Sequence, residues 1–198
     1  MIRVAFLRHA VTAWNEAGRI QGHADQPLAP LGRAWAMRHR LPAGPASWRP
    51  VASPLRRALD TARLIAGEPE VEPALIEMDW GQAEGRTLAD LRQDPGLDFA
   101  RAEAAGLDFR PAGGESPREV LARVGPWLAR TAALGSDIVA VTHKGVIRSV
   151  MAAAEGWDMT GRAPVKLDWT CLQVFVAAAD GSLRPERYNL PLAVREGP

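Results

Sequence analysis

At 198 residues, with 47% apolar and 24% charged side chains, the chain is long enough for one domain with a buried core. A formal net charge of +1 gives no reason to expect nucleic acid or a membrane surface as a partner, and no run of about 18 apolar residues offers a membrane span. The one cysteine, Cys171, excludes an intrachain disulfide, and with a short, early-charged N-terminus it reads as a cytoplasmic protein.

Residues 3–7 (RVAFL) form a short apolar run that predicts a strand, and 30–41 predict a helix ending before Pro42. Residues 50–53 predict a second strand. A helix is expected over 55–66, with Leu55, Leu59, Ala62, Ile65 and Ala66 on one side and Gly67 as its stop. From about 80 to 115 the chain is irregular and punctuated by Gly and Pro, which suggests a helical, lid-like insertion. The strongest helix runs from Ser116 to Leu134. Ser116 and Glu119 form a capping box, Pro117 fits the first turn, and Val120, Leu121, Val124, Trp127 and Leu128 make the stripe. Residues 137–142 (DIVAVT) are the clearest strand, followed by a helix from Gly145 through Met151 to Glu155. Strands at 170–177 and 183–188, with a turn at Gly181, close the pattern. The near-continuous apolar strands suit burial on both faces, so the expected fold is a three-layer α/β/α sandwich with a mainly parallel central sheet. One domain, 1–198, is expected.

Polar clusters follow three of these strands: Leu7-Arg8-His9, Ser53-Pro54-Leu55-Arg56-Arg57 and Thr142-His143-Lys144. In such sheets ligands bind at the carboxyl ends of strands, so two histidines and several arginines converge. Only Lys144 and Lys166 are lysines, so an anion site here relies on arginine. Two histidines with guanidinium forks suit a phosphate dianion. A neutral imidazole can attack phosphorus, and a second, charged imidazole can donate to an equatorial oxygen. A leaving alkoxide then needs a carboxylic acid, for which Glu77, Asp79 and Glu84 are candidates.

These residues resemble the histidine phosphatase superfamily, the phosphoglycerate mutase-like branch. The resemblance rests on Leu7–Asn15 (LRHAVTAWN), Gly18–Gly22, Asp25–Leu28, Ser53–Ala58 with Thr61-Ala62, Glu77 with Asp79-Trp80-Gly81 and Glu84-Gly85, Gly113–Ser116, and Val141–Arg148, in family order. It implies that His9 is the phosphorylated nucleophile, that Arg8, Arg57 and His143 hold phosphoryl oxygens, and that Glu77 is the proton donor. Asn15 is then expected at the pocket edge, Gln21 near the leaving portion, and the Lys144 backbone N–H facing the phosphate. No cofactor and no metal are implied. The chain departs from the family at Ala10 and Lys144, where glycine is usual. Ala10 would be strained if its φ were positive, and the Lys144 side chain either meets a second anionic group or points to solvent.

Other readings compete for several of these residues. His23 and His39 are expected to be structural, Arg56 a solvated neighbour of Arg57, and Ser116 a helix cap. Trp14 and Trp80 could wall the pocket. Zinc on His9, His143 and a carboxylate is disfavoured because guanidiniums repel a cation. The activity expected is a phosphomonoester phosphatase acting on a small phosphorylated metabolite. Alternatives are a cofactor-dependent phosphoglycerate mutase, expected to be longer, and a non-catalytic phospholigand-binding module. The sequence leaves the oligomeric state open, a homodimer being one option.

Overall fold

The computed structural model describes residues 1–94 and 104–195. In chain order the strands and α-helices are β1 (Ile2–Arg8), α1 (Ala13–Glu16), α2 (Pro30–Arg38), β2 (His39–Arg40), β3 (Arg49–Ala52), α3 (Arg56–Ile65), β4 (Glu70–Val71), α4 (Leu88–Gln93), α5 (Pro117–Leu134), β5 (Ile138–Thr142), α6 (Lys144–Glu155), β6 (Leu172–Ala177), β7 (Leu183–Leu190) and β8 (Ala193–Val194). The main sheet has the order β4-β3-β5-β1-β6-β7. β1, β3, β4 and β5 are parallel, while β6 and β7 run antiparallel at one side. This is the expected mixed α/β sandwich with a mostly parallel sheet.

The strand period of two sorts the core. Ile2, Val4 and Phe6 of β1, with Ile138 and Ala140 of β5, face α5 and α6. Ala5 and Leu7, with Val139 and Val141, face α2 and α3. All four β1 residues from Val4 to Leu7 are fully buried, and burying a side chain such as Phe6 contributes roughly 2 kcal/mol. Helix α5 carries the expected capping box, in which the Ser116 hydroxyl accepts from the Glu119 N–H. Its stripe is Val120, Val124, Trp127 and Leu128, while Leu121 is only half-buried.

Several boundaries differ from the sequence reading. The helix expected over 30–41 stops at Arg38, because His39 and Arg40 pair antiparallel with Val194 and Ala193. Edge strand β4 pairs parallel with β3 and carries no apolar run of its own. The helix expected from Gly145 begins at Lys144, with His143 at its N-cap. Within the region 80–115, the described residues form two 3₁₀ turns, Gly81–Ala83 and Gly106–Asp108, and the short α4. The rest of the expected insertion, residues 95–103, lies outside the described residues.

The topology places the site. β5 lies between β1 and β3, so the ends of all three strands are adjacent. The His9 N–H donates to the Thr142 carbonyl at 2.9 Å, and the Ser53 N–H to the Val141 carbonyl at 3.0 Å. Three sequence-distant clusters are thereby tied into one rim.

Candidate active site

His9 follows β1 and is buried. Its Nδ1 lies 2.8 Å from the Ala10 carbonyl oxygen. A carbonyl only accepts, so Nδ1 carries the hydrogen and Nε2 keeps its lone pair. Burial, then the Arg8 and Arg57 guanidiniums, push the His9 pKa well below its ordinary value, against a smaller opposing effect of the Ala10 carbonyl. The ring is therefore neutral, as a nitrogen nucleophile must be. Ala10 is fixed by its N–H, which donates to Thr61 Oγ1 at 2.9 Å, and that hydroxyl donates to the Arg57 carbonyl at 2.7 Å. The strain considered for Ala10 does not arise. Among the described residues, only Met159 and Asn189 are non-glycine residues with positive φ.

Arg57, in the first turn of α3, is fully buried. Its Nη1 donates to the Ala24 carbonyl at 3.0 Å and its Nη2 to the Gly22 carbonyl at 2.7 Å. Glu84 holds that loop from outside: its carboxylate accepts from the His23 N–H at 2.5 Å and the Ala24 N–H at 2.8 Å. A Cβ on Gly22 would come within 2.9 Å of the Trp80 backbone nitrogen, besides displacing the Glu84 carboxylate, so the loop packs this closely only around glycine. Asp25 accepts from the Arg56 N–H at 2.8 Å, an N-terminal cap for α3 that Leu55 cannot supply. The Arg56 side chain is solvated, leaving Arg57 as the arginine of the site.

His143 is fully buried, its ring centroid 5.1 Å from that of His9. Nε2 lies 2.7 Å from Ser53 Oγ. Burial, then Arg57, His9, Arg8 and Arg123, push its pKa well below the ordinary value. These effects favour the neutral ring. A neutral His143 still offers Nδ1–H as a donor when the Ser53 hydroxyl donates to Nε2.

Glu77 is the buried carboxyl among the three candidates. Its Oε1 accepts from the Met78 N–H at 2.8 Å and the Val146 N–H at 3.3 Å, and Oε2 from the Gly145 N–H at 3.1 Å. Burial raises its pKa, outweighing the opposing effects of the Gly145 and Met78 N–H groups, Arg57 and Arg8. A Cβ on Gly145 would lie 2.5 Å from Glu77 Oε1, so that glycine makes room for the carboxyl. Asp79 instead accepts from the Gly81 N–H at 2.8 Å, and Glu84 serves the Arg57 loop. The segment bearing Glu77 is clamped by Arg123 of α5. That guanidinium donates to the Ala74 carbonyl at 2.5 Å and the Ile76 carbonyl at 2.8 Å, and is paired with Glu115 at 2.8 Å.

Gln21 is buried with Oε1 accepting from Thr12 Oγ1 at 2.9 Å and Asn15 Nδ2 at 3.4 Å. Those donors turn Nε2 the other way. Asn15 itself is committed to capping α1, where its Oδ1 accepts from the Thr12 N–H at 3.1 Å. Among the described residues, four buried polar side-chain atoms have no hydrogen-bond partner: Arg8 Nε, Gln21 Nε2, Arg57 Nε and His143 Nδ1. An orphaned buried donor is costly unless a ligand satisfies it.

Lys144 is exposed, its Nζ 5.5 Å from the Trp169 ring centroid. Trp80 packs against Phe109 at 5.7 Å, and the tryptophan beside Arg8 is Trp169, at 6.0 Å. His23 Nε2 meets the Glu77 carbonyl at 2.9 Å, and His39 Nδ1 the Trp35 carbonyl at 2.7 Å, both backbone contacts. Sequence reasoning missed Ser53 as a partner of His143, and it missed Arg123 and Trp169. Arg123 had one signal, a cation beside Val120 and Val124 on a helix face that turns to the core.

A neutral histidine, two guanidiniums and a buried carboxyl thus gather at the strand ends of an α/β sheet, a donor set with the chemistry to hold an oxyanion. The chain belongs to the histidine phosphatase superfamily (branch 1), whose family model matches residues 4–190. It is 35% identical over 169 residues to the glucosyl-3-phosphoglycerate phosphatase of Mycobacterium tuberculosis, covering 76% of this chain and 74% of that one. It is 27% identical over 198 residues to the 2,3-bisphosphoglycerate-dependent phosphoglycerate mutase 2 of Gloeobacter violaceus, covering 92% and 89%. The crystal structure of the alpha-ribazole phosphatase from Shigella flexneri superposes with a TM-score of 0.79 at 25% identity, covering 98% of this chain and 100% of that one.

Proposed function

We propose that the chain is a phosphomonoester phosphatase that acts on a small phosphorylated metabolite through a phosphohistidine at His9. The observation that carries this is the set of four buried nitrogens unpartnered among the described residues, on Arg8, Gln21, Arg57 and His143, beside a neutral histidine whose Nε2 keeps its lone pair. In this reading the phosphoryl oxygens take the place of the missing partners. His9 Nε2 attacks phosphorus in line, forming the N–P bond as the ester O–P bond breaks. Glu77, protonated, gives its proton to the departing alkoxide. Its carboxylate then takes a proton from water, which attacks phosphorus and releases phosphate and His9. Arg8, Arg57 and His143 hold the charge on the equatorial oxygens throughout.

The Lys144 N–H, at the first position of α6, and Gln21 complete the proposed binding set. Asn15 acts in it through Gln21 and Thr12. Metal independence belongs to the proposal, supported by the two guanidiniums, whose charge opposes a cation. So does a cytoplasmic location, supported by the single cysteine; among the described residues no helix is long and apolar enough to cross a membrane. The mutase reading draws on the Gloeobacter violaceus relative.

The test is phosphate release from p-nitrophenyl phosphate and a panel of phosphorylated metabolites, in chelator, by wild type and His9→Ala. Release by wild type alone is expected. Release only after zinc is added contradicts the metal-free reading. Phosphoryl migration on 3-phosphoglycerate with a bisphosphate primer, without net phosphate, favours the mutase.

A further inference from the structure

Two cations on α6 remain once the phosphate pocket is accounted for. Lys144 and Arg148 are one helical turn apart and share a face. Among the described residues neither is paired with a carboxylate. Each rests on a tryptophan instead, Lys144 Nζ 5.5 Å from the Trp169 centroid and Arg148 Cζ 5.3 Å from that of Trp157. Arg8 of the phosphate pocket lies against the same Trp169 ring, at 6.0 Å. The Lys144 ammonium therefore stands beside the pocket, outside the buried ring of donors.

This arrangement is unfavourable without an anion. Partial desolvation of the otherwise exposed Lys144 side chain against Trp169, then Arg8 and Arg148, lower its pKa, and Glu77 opposes them. Glu77 cannot act as a counter-ion at the surface, because it is buried and engaged by backbone N–H groups. The tryptophan faces hold both long side chains in place, which reduces the ordering cost of binding. Clustered like charges at a site mouth attract and select an anionic ligand.

Resting on the phosphatase reading above, we propose that Lys144, supported by Arg148, forms a subsite for a second anionic group on the substrate, a carboxylate or a second phosphate. The preferred substrates are then phosphorylated acids or bisphosphates rather than neutral phosphomonoesters.

The experiment compares kcat/KM within matched pairs. 3-Phosphoglycerate and glycerol 3-phosphate differ by a carboxylate in place of a hydroxymethyl group. Fructose 1,6-bisphosphate and fructose 6-phosphate differ by a second phosphate. Wild type is expected to prefer the more anionic member of one pair by tenfold or more, and the pair that responds identifies the group. Lys144→Met is expected to lower that preference at least tenfold, mainly through KM, with Arg148→Met adding to the loss and Lys144→Arg retaining most of the preference. A wild-type preference under tenfold in both pairs, or one that survives Lys144→Met, overturns the proposal. Failure of wild type to hydrolyse even p-nitrophenyl phosphate counts against the phosphatase reading itself.

Discussion

Replacing Glu77 by glutamine removes the transferable proton while nearly keeping the shape. The carboxylate now accepts from three N–H groups, of Met78, Val146 and Gly145. A glutamine that places its oxygen toward Met78 and Val146 turns its NH₂ toward the Gly145 N–H. One hydrogen bond is then lost and two donors face each other, a cost of about 1–3 kcal/mol in stability. The effect on chemistry is larger and depends on the ester. An alkoxide leaving group needs the proton, so kcat/KM for an alkyl phosphate is expected to fall by about 10²–10⁴. A dinitrophenolate needs none, so its kcat/KM is expected to fall less than about tenfold. The parameter matters, because kcat/KM reports steps up to phosphoenzyme formation, whereas kcat also contains the water step in which Glu77 is the proposed base. The assay is initial-rate phosphate release on an alkyl and a dinitrophenyl ester at one pH, with urea melts to confirm folding. Equal losses on both esters refute Glu77 as the proton donor.

Arg123→Met loosens residues 74–77. It is expected to lower alkyl-ester kcat/KM by about tenfold with a smaller loss on the aryl ester, and to cost about 1–3 kcal/mol of stability; a uniform loss on both esters means that Arg123 supports only the fold. Ser53→Ala removes the partner of His143 Nε2. It is expected to reduce kcat/KM on both esters alike by about tenfold or more, since phosphate contacts are shared; an unchanged rate contradicts the orienting role of Ser53. Stability is expected to fall on acidification. The pKa values of His9 and His143 are depressed by folding, so the unfolded chain binds more protons. Their contribution is present above the ordinary histidine value of 6.5 and is lost as pH falls below it. The slope approaches about 1.4 kcal/mol per pH unit for each ring. Urea melts at pH 7.5 and 5.5 check this, and a His9→Asn/His143→Asn variant should show a flatter dependence. Glu77 acts in the opposite sense. Its raised pKa makes its contribution greatest below the ordinary carboxyl value of 4.5, to be lost as pH rises through the folded pKa. A wild type as insensitive as the double histidine variant between those two pH values contradicts the buried neutral rings.

What the sequence made legible followed from local signals. Ser116, Pro117 and Glu119 announce α5, and the continuous apolar runs at β1 and β5 announce strands covered on both faces. The motif clusters fell at the ends of those strands, so His9, Arg57 and His143 were expected together and are found together. What escaped notice depends on distant pairing. His39-Arg40 become a strand only because Ala193-Val194 lie beside them, and nothing in the local pattern signals it. The choice of Glu77 over Asp79 and Glu84 could be weighed in the sequence, but burial separates them: one carboxyl lies at the start of α6, while the other two bind loop N–H groups. Asn15 carries a further role that its motif position did not signal: its amide closes the α1 capping box and orients Gln21.

The central claim is that His9 carries the phosphoryl group. The most direct measurement is rapid acid-free quenching of wild type and His9→Ala with a ³²P-labelled phosphomonoester in chelator, followed by peptide mapping. The account predicts acid-labile, base-stable label on His9 in the wild type and none in His9→Ala. Label on another residue, or label that persists in His9→Ala, contradicts it.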